Sequence, residues 1–256
     1  MVRRFVARFF GGALVTFLLL SPARGAELAE LCALGDVQAV REALEAGERV
    51  AGRDERGRTP LYCTVAAGVR VPLSTHLEVA RLLLLHGAEA DAADGEGRTP
   101  LTLSLEKGGA FAGLTELLLD FGADPNGPAS GRTPLHLAAE CGSARQVELL
   151  LERGANPLAK DGEGRSALMS ALLAEDGGLE KVRLLLDAGS DVNARCPLWG
   201  DEGVTPLMAA AALAPPELVA LLLDRGALMG LRSASGLRAL DFARLAGREA
   251  NVPLLR

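Results

Sequence analysis

Apolar residues recur along this chain in short leucine-rich stretches, each closed by a glycine: Leu82 to Gly87, Leu117 to Gly122, Leu149 to Gly154, Leu184 to Gly189 and Leu221 to Gly226, with a weaker copy from Val40 to Gly47. A second marker keeps step with them. The tripeptides Thr59-Pro60-Leu61, Thr99-Pro100-Leu101, Thr133-Pro134-Leu135, Ser166-Ala167-Leu168, Thr205-Pro206-Leu207 and the degenerate Arg238-Ala239-Leu240 are spaced 40, 34, 33, 39 and 33 residues apart. Gly57, Gly97, Gly131, Gly164, Gly203 and Gly236 each stand two residues ahead of one. A period in this range signals a stacked-repeat architecture and is read before any single element. The unit it predicts is a helix, a turn, a second helix, a glycine stop and an extended connector of 11 to 16 residues from that glycine to the next tripeptide.

Each marker has a physical reason. Thr or Ser ahead of a helix accepts a hydrogen bond from an N–H that has no partner within the helix, and Pro at the first helical position has its φ already set. Glycine after the leucine run adopts the left-handed conformation that ends a helix. Alanine pairs such as Ala138-Ala139 and Ala209-Ala210 let successive backbones approach closely. Helices of about 8 to 10 residues are marginal alone, so they persist only by burying Leu and Ala faces against neighbouring units.

Residues 133 to 155, with Thr133-Pro134-Leu135-His136-Leu137-Ala138-Ala139, Gly142, Val147, Leu150-Leu151 and Gly154-Ala155, resemble an ankyrin repeat almost position by position. The resemblance extends over 27–256. It implies an all-α solenoid of about seven helix-turn-helix units with short hairpin-like connectors. Residues 26–58 form a first cap without the tripeptide, followed by units 59–98, 99–132, 133–165, 166–204 and 205–237 and a truncated cap at 238–256. Terminal units need a polar outer face, so atypical ends are expected.

Departures from the period mark loops. The first full unit gains about seven residues at Gly68 to His76, and insertions of two fall near Gly108 to Ala112 and Asp176 to Gly178. The connector from Asp191 to Glu202 is four residues longer than its counterparts and holds the only tryptophan, Trp199, beside Leu198. Trp199 either anchors a partner, as tryptophan does at many interfaces, or folds back with Leu198 to pin the loop. Arg58, Arg98, Arg132 and Arg165 precede four consecutive tripeptides. Stacking turns them into a basic ladder, and the resemblance places it on the concave, partner-binding side. Asp54, Glu55, Glu96 and Glu163 are at hand to neutralise it, and Gly-Arg-Thr-Pro-Leu also has an ordinary structural reading.

The chain of 256 residues is 49% hydrophobic with 4% aromatics, which excludes disorder and leaves room for one large domain or two small ones. Residues 1–8 hold three arginines, 9–20 are uncharged and mostly apolar, and 21–25 are mostly small. This is the layout of a secretory signal peptide over 1–25, the mature chain beginning between Arg24 and Ala26, since a 12-residue apolar run is short of the roughly 20 that span a bilayer. No lipobox accompanies it. Without it the formal charge of −6 becomes −10, from 23 basic and 33 acidic residues. Such a body repels phosphate backbones and anionic lipid, so neither nucleic acid nor membrane is an expected partner.

Candidate chemistry is sparse. His76, His86 and His136 show no metal-ligand spacing, and no nucleophile elbow, Walker loop or zinc-protease motif is present. No catalytic residue, metal or cofactor is expected. Export brings Cys32, Cys63, Cys141 and Cys196 into an oxidising compartment, where Cys32 with Cys63, on first helices of adjacent units, is the one pair placed to bridge. The reading is therefore a monomeric, periplasmic or secreted scaffold that binds a protein through its concave face and connectors. The alternatives are a thiol-based redox factor, since some exported bacterial ankyrin-repeat proteins are linked to oxidative-stress protection, and a secreted effector that binds a host protein.

Overall fold

A computed structural model describes residues 26–68, 71–127, 131–174 and 178–256. The expected signal peptide lies outside the described residues. Helices come in antiparallel pairs: α1 (Ala26–Leu34) with α2 (Val37–Glu45), α3 (Pro60–Ala66) with α4 (Leu73–Leu85), α5 (Pro100–Glu106) with α6 (Ala112–Asp120), α7 (Pro134–Glu140) with α8 (Ala144–Glu152), α9 (Ala167–Leu173) with α10 (Leu179–Asp187), and α11 (Pro206–Leu213) with α12 (Pro216–Asp224). A lone α13 (Ala239–Leu245) and a 3-10 turn, Val252–Leu255, close the chain.

Every tripeptide sits where the capping argument puts it. Thr59, Thr99, Ser166 and Thr205 accept hydrogen bonds from the backbone N–H groups of Tyr62, Thr102, Met169 and Met208. Pro60, Pro100, Pro134 and Pro206 occupy the first helical position. The insertion expected at Gly68 to His76 is partly helical, because α4 starts at Leu73 and takes in His76.

Successive inner helices pack on one another, α1 on α3, α3 on α5, α5 on α7, α7 on α9, α9 on α11 and α11 on α13, and α2, α4, α6, α8 and α10 form a parallel outer row. One hydrophobic cluster runs from Leu28 to Leu255 through every unit. The core is therefore a strip between two rows of helices, as short helices that bury surface only against neighbours require.

Polar groups join the units as well. Asp91 accepts from Asp124 N–H at 2.9 Å, Asn126 accepts from Asn156 N–H at 2.8 Å and donates to Gly154 carbonyl at 2.9 Å, and Asn193 accepts from Leu228 N–H at 2.9 Å. A second set lies between the helix rows. Gln146 Nε2 donates to Thr115 Oγ1 at 2.9 Å, and Thr115 Oγ1 lies 3.0 Å from Ser104 Oγ.

The all-α expectation needs one amendment. The long connector folds into an antiparallel β-hairpin, β1 (Cys196–Leu198) and β2 (Asp201–Val204). Its two-residue turn is Trp199-Gly200, with φ of 54° and 77°. Positive φ at both central residues matches the right-handed twist of the strands, and the four extra residues supply the length that the shorter connectors lack.

Candidate functional site

The connectors form a row of tight turns beside the ends of the inner helices. In three of them an aspartate organises the turn. Asp54 Oδ1 accepts the backbone N–H groups of Arg56 and Arg58, both at 2.9 Å, while Oδ2 accepts from Arg58 Nε at 2.7 Å. Asp94 does the same with Glu96 and Arg98, and Asp161 with Glu163 and Arg165. Gly57 turns the chain at φ +74°, and a Cβ there would lie 3.1 Å from Gly95 N of the next connector. That closeness lets Gly95 N–H donate to Arg56 carbonyl at 3.0 Å, as Gly162 does to Gly131 and Ala234 to Glu202, both at 2.7 Å.

This geometry decides what the arginine row does. Arg58, Arg98 and Arg165 are paired with Asp54, Asp94 and Asp161, and Glu96 and Glu163 lie 3.3 Å from Arg98 and Arg165 as second partners. Arg132 bonds to Glu140 instead. The guanidinium groups are thus spent largely on holding connectors. The main partners missed in the sequence are Asp94 and Asp161, although Asp four residues ahead of Arg is repeated three times. Arg53 was also missed: its Nη1 donates to Gly57 carbonyl at 2.6 Å and to Ala93 carbonyl at 2.5 Å, stapling two connectors.

Burial alone raises the Asp94 carboxyl. The N–H groups of Arg98 and Glu96, the Tyr62 hydroxyl and the Arg98 guanidinium outweigh it and hold Asp94 down at about 2. Burial pushes the Tyr62 phenol up, and its bond to Asp94 adds to the effect. His136 shows the same inward use of polarity. Its Nδ1 receives Thr133 N–H at 3.3 Å, so the proton sits on Nε2, which donates to Arg165 carbonyl of the next unit at 3.0 Å. Burial lowers its pKa.

Two adjoining grooves lie along the N-terminal half of this face. One, of about 640 Å³, is lined by Arg56, Arg58, Tyr62, Asp94, Glu96 and Lys107. The other, of about 780 Å³, is lined by Leu34, Ala66, Ala67, Gly68, Val71 and Phe111, and shares Ala66 and Lys107 with the first. Toward the other end stands the hairpin. Leu198 is half-buried and packs on the cluster of Met169, Cys196 and Ala209. Trp199 is 52% exposed, and its ring lies 6.1 Å from Phe242 on α13. Leu198 therefore pins the loop, while Trp199 leans on a neighbour and keeps half of its surface open.

The four cysteines are free thiols. The bridge expected between Cys32 and Cys63 is not formed in this structure. Both side chains are buried between α1 and α3, and burial raises their pKa values to about 12 and about 11, with Cys32 hydrogen-bonded to Thr64. Burial raises Cys196 too, while Cys141 is exposed at the end of α7. Among the described residues no cluster of His, Cys, Asp and Glu has metal-binding geometry, and no helix is long and apolar enough to cross a membrane.

The family model for ankyrin repeats matches residues 28–126, 72–161 and 109–196, and a single-repeat model matches 202–233. Mouse ankyrin repeat and SOCS box protein 16 is 35% identical over 181 residues, covering 68% of this chain and 39% of that protein. The chain thus spans about two fifths of that relative's length. Among solved structures, the human ASB11 ankyrin repeat domain superimposes with a TM-score of 0.70 at 26% identity, covering 89% of this chain and 95% of that one. The ankyrin repeat domain of Bcl-3, a member of the IkappaB protein family, gives 0.69 at 30% identity, covering 90% and 97%.

Proposed function

Because the chain belongs to the ankyrin-repeat family, we propose that it is a non-catalytic scaffold, exported to the periplasm or beyond, that holds a partner protein against its concave face and connectors. Ankyrin repeats are protein-interaction modules, and the observation that carries the reading here is the construction of that face. The connectors are locked to one another by backbone bonds and Asp–Arg pairs, while grooves of about 640 and 780 Å³ and half of Trp199 stay open beside them. A surface ordered before it meets its partner loses little conformational entropy on binding. The thiol alternative is weakened by Cys32, Cys63 and Cys196, whose burial raises their pKa values, opposite to what reactive thiols need.

The test is affinity capture from a periplasmic extract, with the captured protein identified by mass spectrometry, repeated with Arg56→Glu, Lys107→Glu and Trp199→Ala. Capture of one protein, lost by tenfold or more in at least one variant that melts like the parent, supports the reading. Capture indifferent to all three refutes the assigned face. Fractionation for the chain shorn of residues 1–25 tests export, and an unprocessed cytoplasmic product refutes it.

A further inference from the structure

The concave face changes character along its length. Counting the capping Thr or its equivalent as the first position, the eighth and ninth positions of the inner helices form two rows that pass along the grooves. In the first three tripeptide units they are Ala66-Ala67, Glu106-Lys107 and Glu140-Cys141; in the last three they are Leu173-Ala174, Ala212-Leu213 and Leu245-Ala246. The charge of the second and third units gives way to leucine. Leu213 is 41% exposed and Leu245 is 75% exposed. Leu245 lies one turn beyond Phe242 on α13, the residue on which Trp199 leans.

Charge around this apolar end is inverted relative to the rest of the molecule. Residues 226–256 contain five arginines and two acidic residues, in a chain that is net −10 after residue 25. Arg244 takes the position that Val65, Leu105, Ala139, Leu172 and Ala211 bury in the preceding units, and it is exposed. Arg244 makes no ion pair among the described residues. Arg248 sits between the ends of α11 and α13, its Nη2 donating to Leu213 carbonyl at 2.8 Å and its Nε to Ala212 carbonyl at 3.2 Å. Leucine, tryptophan and guanidinium groups are thus brought together at one end of an otherwise acidic body.

We propose that Trp199, Leu213 and Leu245, rimmed by Arg244 and Arg248, bind an acidic amphipathic segment of a partner protein, one that offers leucine-class side chains to the apolar patch and carboxylates to the arginines. This rests on the scaffold reading and names the chemistry of its partner. The body as a whole is acidic and disfavours such a segment, so charge biases where along the stack it docks; complementarity of this kind sets register and specificity more than raw affinity. Bidentate pairing suits guanidinium to carboxylate, and a half-exposed tryptophan gains most when a partner covers it.

The test uses the mature chain and two synthetic 14-residue peptides with leucines at positions 3, 6, 7, 10 and 14, the remaining positions being Glu in one and Lys in the other. The only tryptophan is the reporter, since covering Trp199 shifts its emission to shorter wavelength. The Glu peptide is expected to bind at least tenfold more tightly than the Lys peptide and to weaken as salt rises. Arg244→Glu and Leu245→Ser, both at exposed positions, are expected to cost tenfold or more, with Arg81→Glu, exposed on the outer helix α4, unchanged. Equal binding of the two peptides, no binding of either at 1 mM, or indifference to Arg244→Glu and Leu245→Ser overturns the proposal. Sedimentation velocity covers a second copy as occupant: self-association lost in the same variants also overturns it. Capture of a protein that depends on Lys107 and not on Leu245 leaves the scaffold reading standing and removes this one.

Discussion

At the scale of the residue, polarity is used mostly to hold the chain to itself. Asp94 makes the point quantitatively, because its side chain is 3% exposed yet accepts bonds from two backbone N–H groups, a phenol and a guanidinium. Its carboxyl is depressed in the folded state, so the stability it contributes is fully present above the ordinary carboxylate pKa near 3.8 and is lost as pH falls toward about 2. Asp94→Asn is expected to destabilise by about 1.5–3 kcal/mol at pH 7, the range for a bond to a charged group. Urea melts at pH 7 and pH 3 check it: the gap between parent and variant should narrow at the lower pH, and a constant gap contradicts the assignment. Cysteine burial gives a second expectation. Ellman's reagent should modify Cys141 quickly in the folded protein and all four thiols in denaturant. A count of two in denaturant instead shows that Cys32 and Cys63 had bridged.

At the scale of the element, what was legible followed from chemistry local to each unit. Thr-Pro-Leu with a glycine two residues ahead fixes a connector and a helix start through capping and φ alone, so the inner helices begin where the tripeptides stand. What escaped was long-range. The Asn126–Asn156 and Gly95–Arg56 bonds join residues 30 to 39 apart and have meaning only once units are stacked. A hairpin-like connector was expected, but its Trp199-Gly200 turn escaped because Trp is a poor indicator of a turn. A bulky residue at φ 54° is an outlier, costing roughly 1–2 kcal/mol, against which the Phe242 contact returns about 0.5–1.5 kcal/mol. Trp199→Asn, which tolerates that conformation, should therefore change stability by less than about 1 kcal/mol while weakening partner capture. A loss above about 2 kcal/mol in a thermal or urea melt identifies Trp199 as a structural pin instead.

At the scale of the whole molecule, one apolar strip and two rows of helices make a body in which units meet mainly their neighbours. Such an arrangement fixes a shape and leaves the surface free to specialise, which is why the architecture could be read from spacing while the chemistry proposed for the partner rests on how charge and leucine are distributed along the stack. The scaffold proposal seats a protein on this concave face. Hydrogen–deuterium exchange on the chain, alone and with its captured partner, tests this. Added protection is expected in the connectors, the β-hairpin and the ends of the inner helices, with α2, α4, α6, α8, α10 and α12 unchanged. Protection concentrated on those outer helices contradicts it.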